Sequence, residues 1–131
     1  MRIVFLYAAL LALLFVGLSV RTLRMRRRLQ IAIGDSGNEA MLRAMRVHSN
    51  FAEYAPLCLL LICFVEVAGG SSTYVHILGL AVLVGRVSHA YGVSQVKENY
   101  VFRVIGMALT LATIIAASLR LLHFYFTQGV V

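Results

Sequence analysis

Charge is scarce in this sequence. Only 13% of its 131 residues are Asp, Glu, Lys or Arg, and just five of them are acids; ordinary soluble domains carry about a quarter. With 61% apolar residues and a mean hydropathy of +0.89, a free domain in water has too little polar surface to solvate itself. The same hydrophobicity excludes disorder. Cysteine is limited to Cys58 and Cys63, both inside one apolar run, which excludes a disulfide scaffold and leaves them as small packed hydrophobes. Four scattered histidines form no ligand set, so no metal is expected. There is no glycine-rich phosphate loop, no Ser/His/Asp arrangement and no internal repeat. Proline occurs once, at Pro56, where it is expected to kink a helix or release a carbonyl.

Long hydrophobic runs fill the space these absences leave. A membrane-spanning helix needs about 20 mostly apolar residues, and residues 3–20, 51–69, 74–91 and 102–126 each supply that length. The first run carries no charge and reads as a retained helix rather than a cleaved signal, since no small-residue cleavage site leads into a soluble domain. Backbone groups in lipid must bond internally, so the spans are helices. Short connections predict an all-α membrane protein, an up-down four-transmembrane-helix bundle forming one domain over residues 1–131.

Twelve basic residues against five acids give a net charge of +7. In a soluble chain that balance would suggest nucleic acid. Here Arg21, Arg24, Arg26, Arg27 and Arg28 cluster after the first run, as in a cytoplasmic loop, and nucleic acid is not an expected partner. Lys97, between the third and fourth runs, falls on the same side; the Gly69-Gly70-Ser71-Ser72 turn falls on the other. Both termini are then expected away from the cytoplasm. In the polar stretch before the second run, Ser36 or Asn38 is expected to cap a helix that has Glu39 in its first turn.

Ionisable groups at membrane depth are costly and face the bundle interior or a cavity. Arg43, Arg46, Asn50 and Glu53 follow one another at spacings of three, four and three, which puts them on one helical stripe. Arg43 alone reads as half of an interfacial ion pair. Glu53, followed by an apolar run, should lie below the headgroups and needs a cation, a proton or a ligand. Arg86 and His89 share a face of the third helix. Arg86 is expected to pair with Glu53 or Glu66; His89 reads equally well as a satisfied core histidine or as a ligand. Arg103, behind Asn99 and Tyr100, is either a headgroup anchor or the third arginine of a cluster with Arg46, Arg86 and Glu53. Such a cluster makes a cationic pocket. Arginine forks match carboxylates, and Glu53 with Asn50 suits an ammonium and an amide. A small zwitterion with extra carboxylates, such as a short acidic peptide, fits this inventory, and a nearby arginine favours a thiolate.

The run Arg43, Arg46, Asn50, Glu53, Tyr54, Pro56 has the pattern R-x-x-R-x-x-x-N-x-x-E-Y-x-P. It resembles the signature of the MAPEG family, the membrane-associated proteins in eicosanoid and glutathione metabolism. Gly85-Arg86-x-x-His89-x-x-Gly92 resembles that family's third-helix motif, although Val93 stands where better-known members often carry tyrosine. The resemblance covers essentially the whole chain; a short chain without an ER signal fits a bacterial inner membrane, with an ER membrane as the alternative. The resemblance implies a homotrimer with glutathione, the co-substrate, held between subunits near the cytoplasmic face. Arg46, Asn50, Glu53, Tyr54, Arg86 and His89, with Arg43, would be glutathione-binding. Arg103, or Arg86 as second choice, would be the catalytic residue that stabilises the thiolate. One of Arg24 to Arg28 would reach a glutathione carboxylate.

Two main function classes follow, with a third ranked behind them. One is a glutathione transferase or peroxidase, attacking a small apolar electrophile or lipid hydroperoxide that arrives from membrane lipid. The other is a non-catalytic membrane scaffold or lipid-binding protein whose polar stripe locks the trimer. A proton-coupled transporter, built on Glu53, Glu66 and His89, ranks last for want of repeats.

Overall fold

A computed structural model describes residues 2–128, and all regular structure among them is helical. Four helices follow in order: α1 (Ile3–Leu29), α2 (Glu39–Val67), α3 (Ser72–Ser94) and α4 (Tyr100–Gln128). Each contains a stretch long and apolar enough to cross a membrane. The helices outrun the hydrophobic spans that the sequence marks out. The basic residues Arg21 to Arg28 lie on the last turns of α1 rather than in a loop, where they face the negative end of the helix dipole.

Local chemistry sets the ends. Asn38, not Ser36, caps α2, its side chain accepting the Met41 amide at 3.0 Å. Ser71 caps α3 through the Tyr74 amide. Asn99 begins α4, accepting the Phe102 amide on its side chain and the Arg103 amide on its carbonyl. The first turn of α1 has no such residue, and its donors are met from outside. The Glu66 carboxylate, on the last turn of α2, accepts the amides of Arg2, Ile3 and Val4 at 2.8–3.0 Å. A carboxylate at a helix N-terminus satisfies orphan donors and the dipole together. At the other end of α1, Arg26 folds back onto the carbonyls of Ile31, Ala32 and Gly34 and closes the α1–α2 connection.

α2 and α3 form the centre of the bundle. Each packs on the other and on both outer helices, while α1 and α4 do not meet among the described residues. Val47, Phe51, Cys58, Ile62, Val75 and Val82 fill the core. His48 faces α1, bonded to Ser19 and stacked on Phe15. Outward-facing apolar side chains remain bare, Leu13 at 70% and Phe126 at 76% exposure, as expected where the surroundings are lipid rather than water.

The α3–α4 pair approaches most closely, and glycine allows it. A Cβ on Gly106 would stand 2.5 Å from the His89 amide nitrogen and 2.6 Å from the Gly85 carbonyl oxygen. One on Gly92 would stand 2.7 Å from the Arg103 nitrogen. Small residues of this kind let membrane helices pack backbone to backbone. Gly106→Ala should therefore destabilise the protein by about 1–3 kcal/mol, read as a lowered melting temperature in detergent. Gly17→Ala on α1, where a new Cβ meets nothing within 4 Å, should leave it unchanged or slightly raised.

Candidate functional site

The basic end of the bundle holds a cavity of about 400 Å³ between α2, α3 and the start of α4. The polar stripe of α2 forms one wall: Arg43, Arg46, Asn50 and Glu53, joined by Glu39 and Ser49. His89 and Val93 of α3 line it, as do Glu98 from the α3–α4 connection and Arg103 from the first turn of α4. Four of the expected positions on α2 thus meet His89 and Arg103 in one concavity, because helical spacing stacks the first and the Gly92 and Gly106 contacts hold α4 against α3.

Arg86 does not line the cavity. It is 1% exposed and lies in the interior between α2, α3 and α4. The expected pairing with Glu53 or Glu66 is corrected. Nη1 donates to Asn50 Oδ1 at 2.7 Å, and Nη2 points at the Gly106 carbonyl (3.5 Å) and Met107 Sδ (3.4 Å). The Tyr54 ring lies against the guanidinium, 5.6 Å from ring centre to Cζ, so Tyr54 supports Arg86 and does not face the cavity. Glu66 is committed to the far end of α1, and Glu53 stands one turn beyond Asn50 on the open face of α2. The Arg86 Nε hydrogen is buried without a partner among the described residues.

Within the cavity the charges divide into two sets. Arg43 pairs with Glu39 at 2.9 Å and lies 3.7 Å from Glu98; Arg103 pairs with the other Glu98 oxygen at 2.6 Å. Arg43 also donates to the Val93 carbonyl at 3.4 Å. Arg46 and Glu53, both exposed, have no side-chain partner among the described residues, and the His89 ring has none either. The cavity therefore offers a guanidinium and a carboxylate free to take opposite charges of a ligand, next to arginines that are already engaged.

Glu98 escaped the sequence reading. It lies in an irregular connection where no periodicity assigns it a face; the only sequence signal is an acid five residues before Arg103. Of the α1 cluster, Arg24, Arg26, Arg27 and Arg28 do not line the cavity of the single chain, Arg26 being held by its own loop. Arg21 instead ties α1 to α3, donating to Ser94 Oγ at 2.6 Å. A second groove, apolar and about 250 Å³, lies between α1 and α2 against Phe15, Phe51, Ala55 and Pro56. Among the described residues no group of three or more His, Cys, Asp or Glu is placed to hold a metal.

Asn50 serves two environments, presenting its amide to the cavity and its oxygen to a buried cation. Asn50→Leu should cost about 2 kcal/mol or more of stability, because it strands Arg86 without its side-chain acceptor; thermal melts in detergent check this. Asn50→Asp, which restores an acceptor and adds a counter-charge, should retain most of the melting temperature.

The MAPEG family model matches residues 4–123, a range that reaches from α1 through most of α4. Two curated relatives, each named Inner membrane protein YecN, come from Escherichia coli K12 and from Escherichia coli O6:H1. Each is 40% identical over 87 residues, a match that covers 66% of this chain and 66% of the relative. With a family match over nearly the whole of a four-helix membrane bundle, the chain belongs to the MAPEG family.

Proposed function

We propose that this integral membrane protein binds glutathione in the cavity at its basic end and stabilises the thiolate for attack on an apolar electrophile or lipid hydroperoxide. The single observation that carries the reading is that Arg46 and Glu53, opposite charges without a side-chain partner among the described residues, share one wall of a cavity of about 400 Å³ that Arg103 also lines. Glutathione is a zwitterion with two carboxylates, an ammonium and a thiol. Arg46 suits a carboxylate, Glu53 the ammonium, and Asn50 a peptide amide. A guanidinium beside the sulfur favours its anionic form, the thiol proton passing to water at the cavity mouth. Arg103 is the residue for this task, since it lines the cavity and Arg86 does not.

In transfer, the thiolate forms a carbon–sulfur bond to the electrophile, whose displaced group or added electron pair takes up a proton. In the peroxidase case the sulfur attacks the outer oxygen, the O–O bond breaks to release an alcohol, and a second glutathione reduces the sulfenic acid to the disulfide. Proximity and electrostatic stabilisation supply the catalysis. The open face of α2 that bears Arg46 and Glu53 is completed by neighbouring copies in a homotrimer, and the exposed arginines near the end of α1 supply a further carboxylate contact. The basic end faces the cytoplasm, with both termini on the opposite side of a bacterial inner membrane.

The same open charges support a second reading, a scaffold in which Arg46 and Glu53 pair only with another copy of the chain. The two readings separate in titration calorimetry of detergent-purified protein with glutathione. Binding in the micromolar to millimolar range is expected, weakened about tenfold or more by Arg46→Ala or Glu53→Ala. Arg103→Gln should bind within a few-fold of the parent yet lose the ultraviolet absorbance of the bound thiolate. If the α2 variants bind glutathione unchanged, or lose trimer assembly without any ligand effect, the enzyme reading fails.

A further inference from the structure

Glu98 holds the position a ligand anion would want. One of its oxygens lies 2.6 Å from Arg103 and the other 3.7 Å from Arg43, so a single carboxylate bridges α2 and α4. Its side chain is 11% exposed, against 60% for Glu39, which pairs with the same Arg43 from the outside. Glu98 lies on the short connection of residues 95–99, between the ends of α3 and α4. Asn99 anchors that connection, its amide on the Gly92 carbonyl and its side chain on the Phe102 amide. The carboxylate is thus delivered by a short loop pinned next to it, whereas Arg43 and Arg103 reach it from two separate helices.

We infer that Glu98 is an internal stand-in for a ligand carboxylate or thiolate and sets the specificity of the cavity by competition for Arg103 and Arg43. This rests on the glutathione reading for the identity of the ligand, but not for the competition itself. An incoming anion that takes Arg103 must displace Glu98, and exchanging one carboxylate for another gains little. Among anionic groups, net affinity comes from a second one that reaches Arg46, which has no protein partner among the described residues. The cavity therefore favours ligands with at least two anionic groups over simple monocarboxylates, which have only Arg46 to meet without displacing Glu98. It also keeps the thiolate-stabilising arginine neutralised until such a ligand arrives, which limits opportunistic binding of lipid phosphate or small anions at the membrane surface.

The test is calorimetry with two probes, glutathione and citrate, on the parent protein, Glu98→Gln and Glu98→Ala, each first checked for helix content and assembly. Removing the competitor should tighten both probes about tenfold, the scale of one released charge-assisted contact, and should tighten acetate by a similar factor. If glutathione binds the parent and both variants equally, Glu98 does not compete, while the glutathione reading stands. If glutathione binds none of them but citrate tightens in the variants, the competition stands and the glutathione reading falls. Weaker binding of both probes in the variants would assign Glu98 to the ligand's side and overturn the proposal, as would the absence of binding by either probe to any form.

Discussion

Water does not reach the hydrocarbon core of a bilayer, so each ionised or hydrogen-bonding group there must be satisfied by the protein. Arg86 shows how far that constraint shapes the bundle. An arginine near the middle of a span costs about 3 kcal/mol or more to insert, and this one is almost wholly buried without a carboxylate at hydrogen-bond distance among the described residues. Its partners are neutral: the Asn50 oxygen, the Gly106 carbonyl, the Met107 sulfur and the face of Tyr54. These come from two neighbouring helices, and the glycine contacts between α3 and α4 bring them within reach. The close approach that solvates Arg86 is the same one that sets Arg103 beside His89 at the cavity.

A graded arrangement of charge follows from the membrane's two zones. In the interior, Arg86 is embedded among dipoles and a ring. At the basic end, Arg43, Arg103, Glu39 and Glu98 form ion pairs that water and headgroups can share. Between these zones Arg46 and Glu53 are left open on the exposed side of α2. Both face outward, where a ligand or another copy of the chain can meet them. At the opposite end Glu66 solves a different problem, supplying the cap that the first turn of α1 lacks.

The four spans were legible because hydrophobic length is a one-dimensional property, and the α2 stripe was legible because helical period converts spacing into a shared face. Of the two expected caps, Ser36 and Asn38, α2 uses Asn38; of the expected cluster, Arg46, Glu53 and Arg103 line one cavity while Arg86 lies in the interior behind it. What escaped depends on distances between helices. Nothing in the spacing distinguishes Asn50 from Glu53 as the partner of Arg86, since they lie one turn apart and only the rotation of α2 against α3 decides. Glu66 could be given its partners only once the start of α1 was known to sit beside the end of α2. Glu98 lies in a connection without periodicity. The contact of the Tyr54 ring with Arg86 likewise depends on side-chain packing between α2 and α3.

The central claim is that charges from separate helices converge on one ligand at the basic end of the bundle. It is tested most directly by determining the structure of the protein in lipid with glutathione present. The account predicts tripeptide density in the cavity, with carboxylate density at Arg46, the amino end at Glu53 and the sulfur within reach of Arg103. Density for the ligand elsewhere, or a cavity left closed by Arg46 and Glu53 pairing to neighbouring chains, would contradict it.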